Sequence, residues 1–279
     1  MIDDRDQFVR DRVRDQLIEV GEDAIPFLEI MAKTADPEKK AKALEIIQAI
    51  FPKQLQKQFS HLVQNSSPGH WDLEAGVILL SKFGCPREDA NSISLALDQL
   101  ATEASNQVKN KRSPEEAVKA LTHFIFVEKE FRGNSTNFFD PNNTYFSQML
   151  KHKRGIPITL SALCVFVGQR LGLPIVGVGL PGHYIAKYDS LSQPIYFDPF
   201  EKGQILSQAD CAKLVEKMGY HFEEHYLVTA TNRETLTRMM NNLIVIYNKN
   251  SQLEKANHLT NFIEVLTRGP KRSSSIRPN

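Results

Sequence analysis

Apolar positions recur every three or four residues through the first fifty residues. Val9, Val13, Leu17 and Val20 make one stripe, and Ala43, Leu44, Ile47 and Ile50 make another. Between them Gly21 ends one helix, Pro26 sits in the first turn of the next, and "TADPEKK" is a polar turn, so residues 1–57 predict a helical hairpin. Residues 51–69 are largely polar and end in "QNSSPG", which predicts a linker. "WDLEAGVILLSKFG" and "EDANSISLALDQLATEASNQV" then predict two amphipathic helices. Ser113, Pro114 and Glu116 form a capping box at the start of a third. Gly, Asn and Pro break the pattern across "RGNSTNFFDPNNTYFS", a polar loop with interleaved aromatics. The next helix starts near Pro157, buries Leu160, Leu163, Cys164, Val167 and Leu171, and stops at Gly172 before Pro174. From 175 the period changes to two. "IVGVGL", "HYIAKYD" and "PIYFDPF" predict three or four short antiparallel strands within 174–200. Helical spacing returns after 207, and residues 229–267 predict a helix pair. The chain is thus α+β and predominantly helical.

Composition narrows the class. The 279 residues are 41% hydrophobic and 24% charged, ordinary for a globular protein, and the net charge of +1 gives no overall field toward nucleic acid. Cys85, Cys164 and Cys211 are scattered and odd in number, which predicts reduced thiols and a cytoplasmic setting. The charged start "MIDDRDQFVRDRVRD" lacks the apolar stretch of a signal peptide, and no apolar run is long enough to span a bilayer. His123 and His152 have no ligand partners at usable spacing, and no phosphate or dinucleotide loop is present, so neither a metal nor a cofactor is expected. The tail "RGPKRSSSIRPN" is basic, and disorder is expected over 268–279.

Five ordered motifs carry a family resemblance. The "N-S/T-Y" pattern is met by "NNTYFS", and "RGIPITLS", "GLP", "GVGLPGH" and "DPFEKG" follow in order. Over about 200 residues the chain resembles the SirB-one family, whose core is transglutaminase-like. "RMMNNLIVIY" is similar to that family's tetratricopeptide-like C-terminal helices, and the first segment resembles a HEAT repeat. The resemblance implies a transglutaminase-like (papain-like) core with a small antiparallel sheet over 66–228, flanked by helical-repeat segments at 1–57 and 229–267.

In active members of such a fold a cysteine opens the central helix, about fifteen residues before the "G-I-P" that reads "GLP" here. A histidine on the next strand is the base, and an aspartate on the following strand orients it. The resemblance assigns the last two places to His183 and Asp198. Counting back from Gly172 puts Pro157, which has no nucleophile, in the first. Thr159, Ser161 and Cys164 lie on the same helix, and Cys164 is the alternative nucleophile. A cysteine among Leu163, Val165 and Phe166 is more often a small buried hydrophobe.

A turn centred near Ser190–Leu191 places His183 directly across from Asp198 on one face, with Tyr196 beside them. Such a pair is either structural or part of a site. The preceding loop supplies Asn134, Asn142, Asn143 and Tyr145, and Arg154 stands at the helix start. Together they suit contact with a peptide, against the plainer reading of a solvated turn cluster. Two functions follow. One is a non-catalytic transglutaminase-like protein that engages protein or peptide partners, with no membrane and no specific nucleic acid. The other is a divergent acyl-transfer or hydrolytic enzyme that uses His183 and Asp198 with an unexpected thiol or hydroxyl.

Overall fold

The computed structural model describes residues 2, 4–64, 71–86, 88–89, 91–190 and 193–268. They divide into two compact units, Met1–Asn65 with Glu264–Asn279, and Ser66–Ile263. The basic tail and the "NSSPG" stretch lie outside the described residues.

The first unit carries helices α1 (Gln7–Val20), α2 (Ile25–Thr34) and α3 (Pro37–Gln64). The Asp6 side chain accepts the Phe8 N–H and caps α1, and Gly21 turns the chain at φ 78°. Ile18, Ala24, Leu28, Ala43, Ile46 and Ile50 form its core, with Val13 and Leu17 against them. Two expectations change here. Val20 and Leu44 are exposed at 57% and 41%, because the inward stripe of α3 runs through Ile46 and not Leu44. Residues 51–64 are no linker, so a boundary at 57 falls inside a helix. Leu55, Phe59 and Val63 recur every four residues, are buried, and carry α3 past the internal Pro52.

The second unit holds α4 (Leu73–Gly84), α5 (Asn91–Val108), α6 (Pro114–His123), α7 (Phe146–His152), α8 (Pro157–Arg170), α9 (Gln208–Lys217), α10 (Asn232–Lys249) and α11 (Leu253–Arg268) as far as Ile263. Residues Pro157 to Gly168 of α8 are all buried. A helix apolar on every side is a core helix, and α5, α6, α10 and a sheet surround it. That sheet is antiparallel, in the order β3 (Ile175–Val178), β4 (Ile185–Tyr188), β5 (Ile195–Asp198), β6 (Gln204–Leu206). Ile175 packs on Gly168, so one face covers α8. Val178, Leu180, Ile185, Tyr196 and Leu206 on the other face meet Cys211 and Val215 of α9. The fourth strand falls just beyond the expected limit of 200. A parallel ribbon of two residues each, β1 (Arg132–Gly133) with β2 (Arg154–Gly155), was not expected.

An ionic clamp ties three of these helices. Arg170 at the end of α8 donates to both Glu74 oxygens on α4, at 2.7 and 2.9 Å, and to Asp98 on α5 at 2.6 Å. Burial pushes the Glu74 carboxyl up, but hydrogen bonds from Arg170 and Ser94 outweigh it and hold the group below its usual range. A depressed carboxyl stabilises above its unfolded pKa and loses that contribution as pH falls through the folded one. Arg170→Ala is therefore expected to cost about 2 kcal/mol at pH 7. Urea titrations should show a smaller cost below pH 4, and an equal cost at both pH values would refute the clamp.

Candidate functional site

His183 stands two residues before Ile185, the start of β4. Gly182, at φ 73°, makes the turn, and the His183 N–H closes it on the Leu180 carbonyl at 3.2 Å. A side chain on Gly182 would also meet Met218 at 2.7 Å. Asp198 ends β5. Ala186 pairs with Phe197, so the hairpin is centred one residue later than expected, and Asp198 stands across from Ile185. Leu191, on which that expectation turned, lies outside the described residues. His183 and Asp198 are thus diagonal neighbours, a separation that long side chains bridge. The His183 Nε2 to Asp198 Oδ2 distance is 2.7 Å.

The surroundings fix this pair. Asp198 is 1% exposed and His183 8%. The Phe200 N–H donates to Asp198 Oδ1 at 2.9 Å, and the Gly203 N–H donates to the Asp198 carbonyl at 2.7 Å. Arg238 of α10 donates to the His183 carbonyl at 2.8 Å and lies over the Tyr184 ring. Burial pulls the Arg238 guanidinium below its usual range.

The hydroxyl and thiol groups of α8, on Thr159, Ser161 and Cys164, are all buried. Pro157 is the first residue of α8 and is buried. The Thr159 hydroxyl accepts the Ile156 N–H at 3.0 Å and donates to the Asn143 carbonyl at 2.9 Å, so it is spent on capping the helix. Ser161 donates to the Tyr184 carbonyl at 3.4 Å and is fully buried. Cys164 is fully buried too, and burial pushes its thiol far up. Burial, with Glu88 adding to it, raises the half-buried Cys85, and burial takes Cys211 to about 12. None of the three thiols is placed to ionise near neutrality.

The loop residues divide. Asn143 is buried, donates to the Asn137 and Phe138 carbonyls, and accepts from Asn134 at 2.9 Å. Asn134 also takes the Asn137 N–H. Tyr145 is 3% exposed, and its hydroxyl meets that of Tyr247. Asn143 and Tyr145 are both turned inward and build the loop from inside. Asn142 is exposed and Arg154 half-buried, so these two remain available. Two neighbours of the site were not anticipated, Arg238 and Phe200. The Phe200 ring lies edge-on to His183 at 6.4 Å, stands against Phe138 at 6.4 Å, and fills the space in front of Gly133. Arg238 lies 55 residues from His183 and carried no local signal. Phe200 sat in the "DPF" turn and was legible only as part of that motif. Among the described residues no group of His, Cys, Asp and Glu converges as a metal would need, and no helix is long and apolar enough to cross a membrane.

The second unit is thus a buried helix packed on an antiparallel sheet that carries a His–carboxylate pair. The chain belongs to the transglutaminase-like superfamily, whose family model matches residues 91–241. It is 25% identical to a UPF0162 protein of Xylella fastidiosa strain 9a5c over 66% of this chain and 68% of that one. It is 29% identical to a UPF0162 protein of Vibrio cholerae over 49% of this chain, about half the length of that relative at 51%. It is 27% identical to F-box only protein 21 of Mus musculus over 46% of this chain and 21% of that protein. No solved structure matches it.

Proposed function

We propose that this chain is a non-catalytic transglutaminase-like protein of the SirB-one type, which binds a segment of a polypeptide partner beside His183. The single observation that carries the reading is Pro157 at the first position of α8, with every hydroxyl and thiol on that helix buried or spent. The His–Asp pair then serves as a fixed polar contact for a peptide backbone, and Phe138, Phe139 and Phe200 give the neighbouring apolar wall. Phe139 is 53% exposed and sits under the Lys249 ammonium at 3.7 Å. The tetratricopeptide-like and HEAT-like helices would add partner surface.

The intact pair also favours a second reading, a divergent acyl-transfer or hydrolytic enzyme. A thiol- and hydroxyl-directed activity probe separates the two. The binding reading expects no labelling that depends on His183, together with retention of peptides on a peptide array. Labelling of Cys164 that disappears in His183→Ala would reverse the order.

A further inference from the structure

The ribbon that leads into α8 sets Arg132 beside Arg154. Strands β1 and β2 run parallel, with Arg132 opposite Arg154 and Gly133 opposite Gly155. Paired strands lie about 4.8 Å apart, and side chains alternate between faces. The glycine face is turned inward. A first side-chain carbon on Gly133 would stand 2.5 Å from the Phe200 ring, and one on Gly155 would stand 2.8 Å from the Thr159 hydroxyl. The two arginines therefore project together from the other face, Arg132 exposed and Arg154 half-buried. Neither guanidinium has a hydrogen-bond or ion-pair partner among the described residues. Lys153 adds a third charge at the turn, held in the left-handed region at φ 54°.

Like charges directly opposite each other on paired strands are unfavourable. Neutral residues at both positions would serve the ribbon at least as well, since its backbone bonds, Arg132 N–H to the Lys153 carbonyl and Asn134 N–H to the Gly155 carbonyl, need neither side chain. What the pair does supply is two planar forks of N–H donors carried side by side on adjacent strands, chemistry suited to one carboxylate. The ribbon backs directly onto Phe200, the neighbour of His183. We infer that Arg132 and Arg154 form a carboxylate subsite that takes an acidic side chain of the bound peptide. This deepens the peptide-binding reading above and rests on it for the identity of the ligand.

Two measurements on the full chain test the inference. Citrate, compared with sodium chloride at equal ionic strength, should raise the melting temperature by roughly 2–5 °C, as expected for a site filled well above its dissociation constant. The rise should vanish in Arg132→Gln/Arg154→Gln. That variant should itself melt no lower than the wild type, because a like-charge contact has been removed. Equal citrate shifts in the two proteins overturn the subsite. On an array of unrelated 15-residue peptides, the wild type should favour Asp- and Glu-containing sequences at least fivefold over neutral ones, and the variant should lose that preference. Peptides retained without acidic preference, or with a preference the variant keeps, overturn the inference while sparing the peptide-binding reading. Retention of no peptide overturns the reading itself, and with it the acidic peptide as ligand.

Discussion

Pro157→Cys is expected to yield a thiol that titrates one to two units below the usual ~8.5 and reacts with iodoacetamide about fivefold faster at pH 6 than an ordinary exposed cysteine. The size follows from two opposed terms. A pKa near ~7 gives about thirtyfold more thiolate at pH 6, and the lower basicity of that thiolate takes back about a factor of five in nucleophilicity. The structure supplies two causes for the lowered value. Position 157 is the first of a long helix, whose N-terminus carries about half a positive charge. Ser161, four residues further on, donates to the Tyr184 carbonyl, so the chain at His183–Tyr184 passes roughly 6 Å along the helix axis from that position. Burial acts the other way, since Pro157 is itself buried and Cys164 shows what burial alone does to a thiol on this helix. The His183→Ala change in the same background decides between them. If the alkylation profile is the same with and without His183, the pair does not face position 157 and contributes nothing to the reactivity of a thiol there.

The sequence made some of this legible and hid the rest, for physical reasons. The bounds of α8 were readable because Pro157 and Gly172 punctuate them, and the sheet because the period changes from 3.6 to 2 after Pro174. The register of β4 on β5 was not. The segment between Tyr188 and Ile195 has no two-residue turn signature, so a two-residue slip in the pairing, which keeps each side chain on its face, could not be resolved. His183 and Asp198 meet in spite of that slip, because a diagonal pair is still within reach. The extent of α3 was obscured by Pro52 and by many Gln and Lys residues, although Leu55, Phe59 and Val63 kept the period. The loop showed its donors but not where they are spent. The inward bonding of Asn143 and Tyr145 was hidden because nothing local says that Thr159 and Tyr247 approach from 16 and 102 residues away. The β1–β2 ribbon was invisible, since two residues on each side leave no periodicity to read.

Asp198→Ala is expected to destabilise the Ser66–Ile263 unit by about 3 kcal/mol, a fall of roughly 6–12 °C in melting temperature. The carboxylate is 1% exposed and satisfies two donors, His183 Nε2 at 2.7 Å and the Phe200 N–H at 2.9 Å. Truncation leaves the buried His183 and the partly buried Phe200 N–H without that partner, and it loosens the turn that holds the Phe200 ring before Gly133. Asp198→Asn keeps an oxygen for the Phe200 N–H and should cost about half as much. His183→Ala leaves a buried carboxylate with one backbone donor and is also expected to be costly. Because each single change orphans the partner of the other, the double variant His183→Ala/Asp198→Ala should lose less than the sum of the two, by at least about 1 kcal/mol. Additive losses would mean that the two side chains do not depend on each other in solution. A double variant that is folded and still retains peptides would show that the pair supports the groove without touching what it holds, and would move the recognition chemistry to Arg132, Arg154 and the aromatic wall.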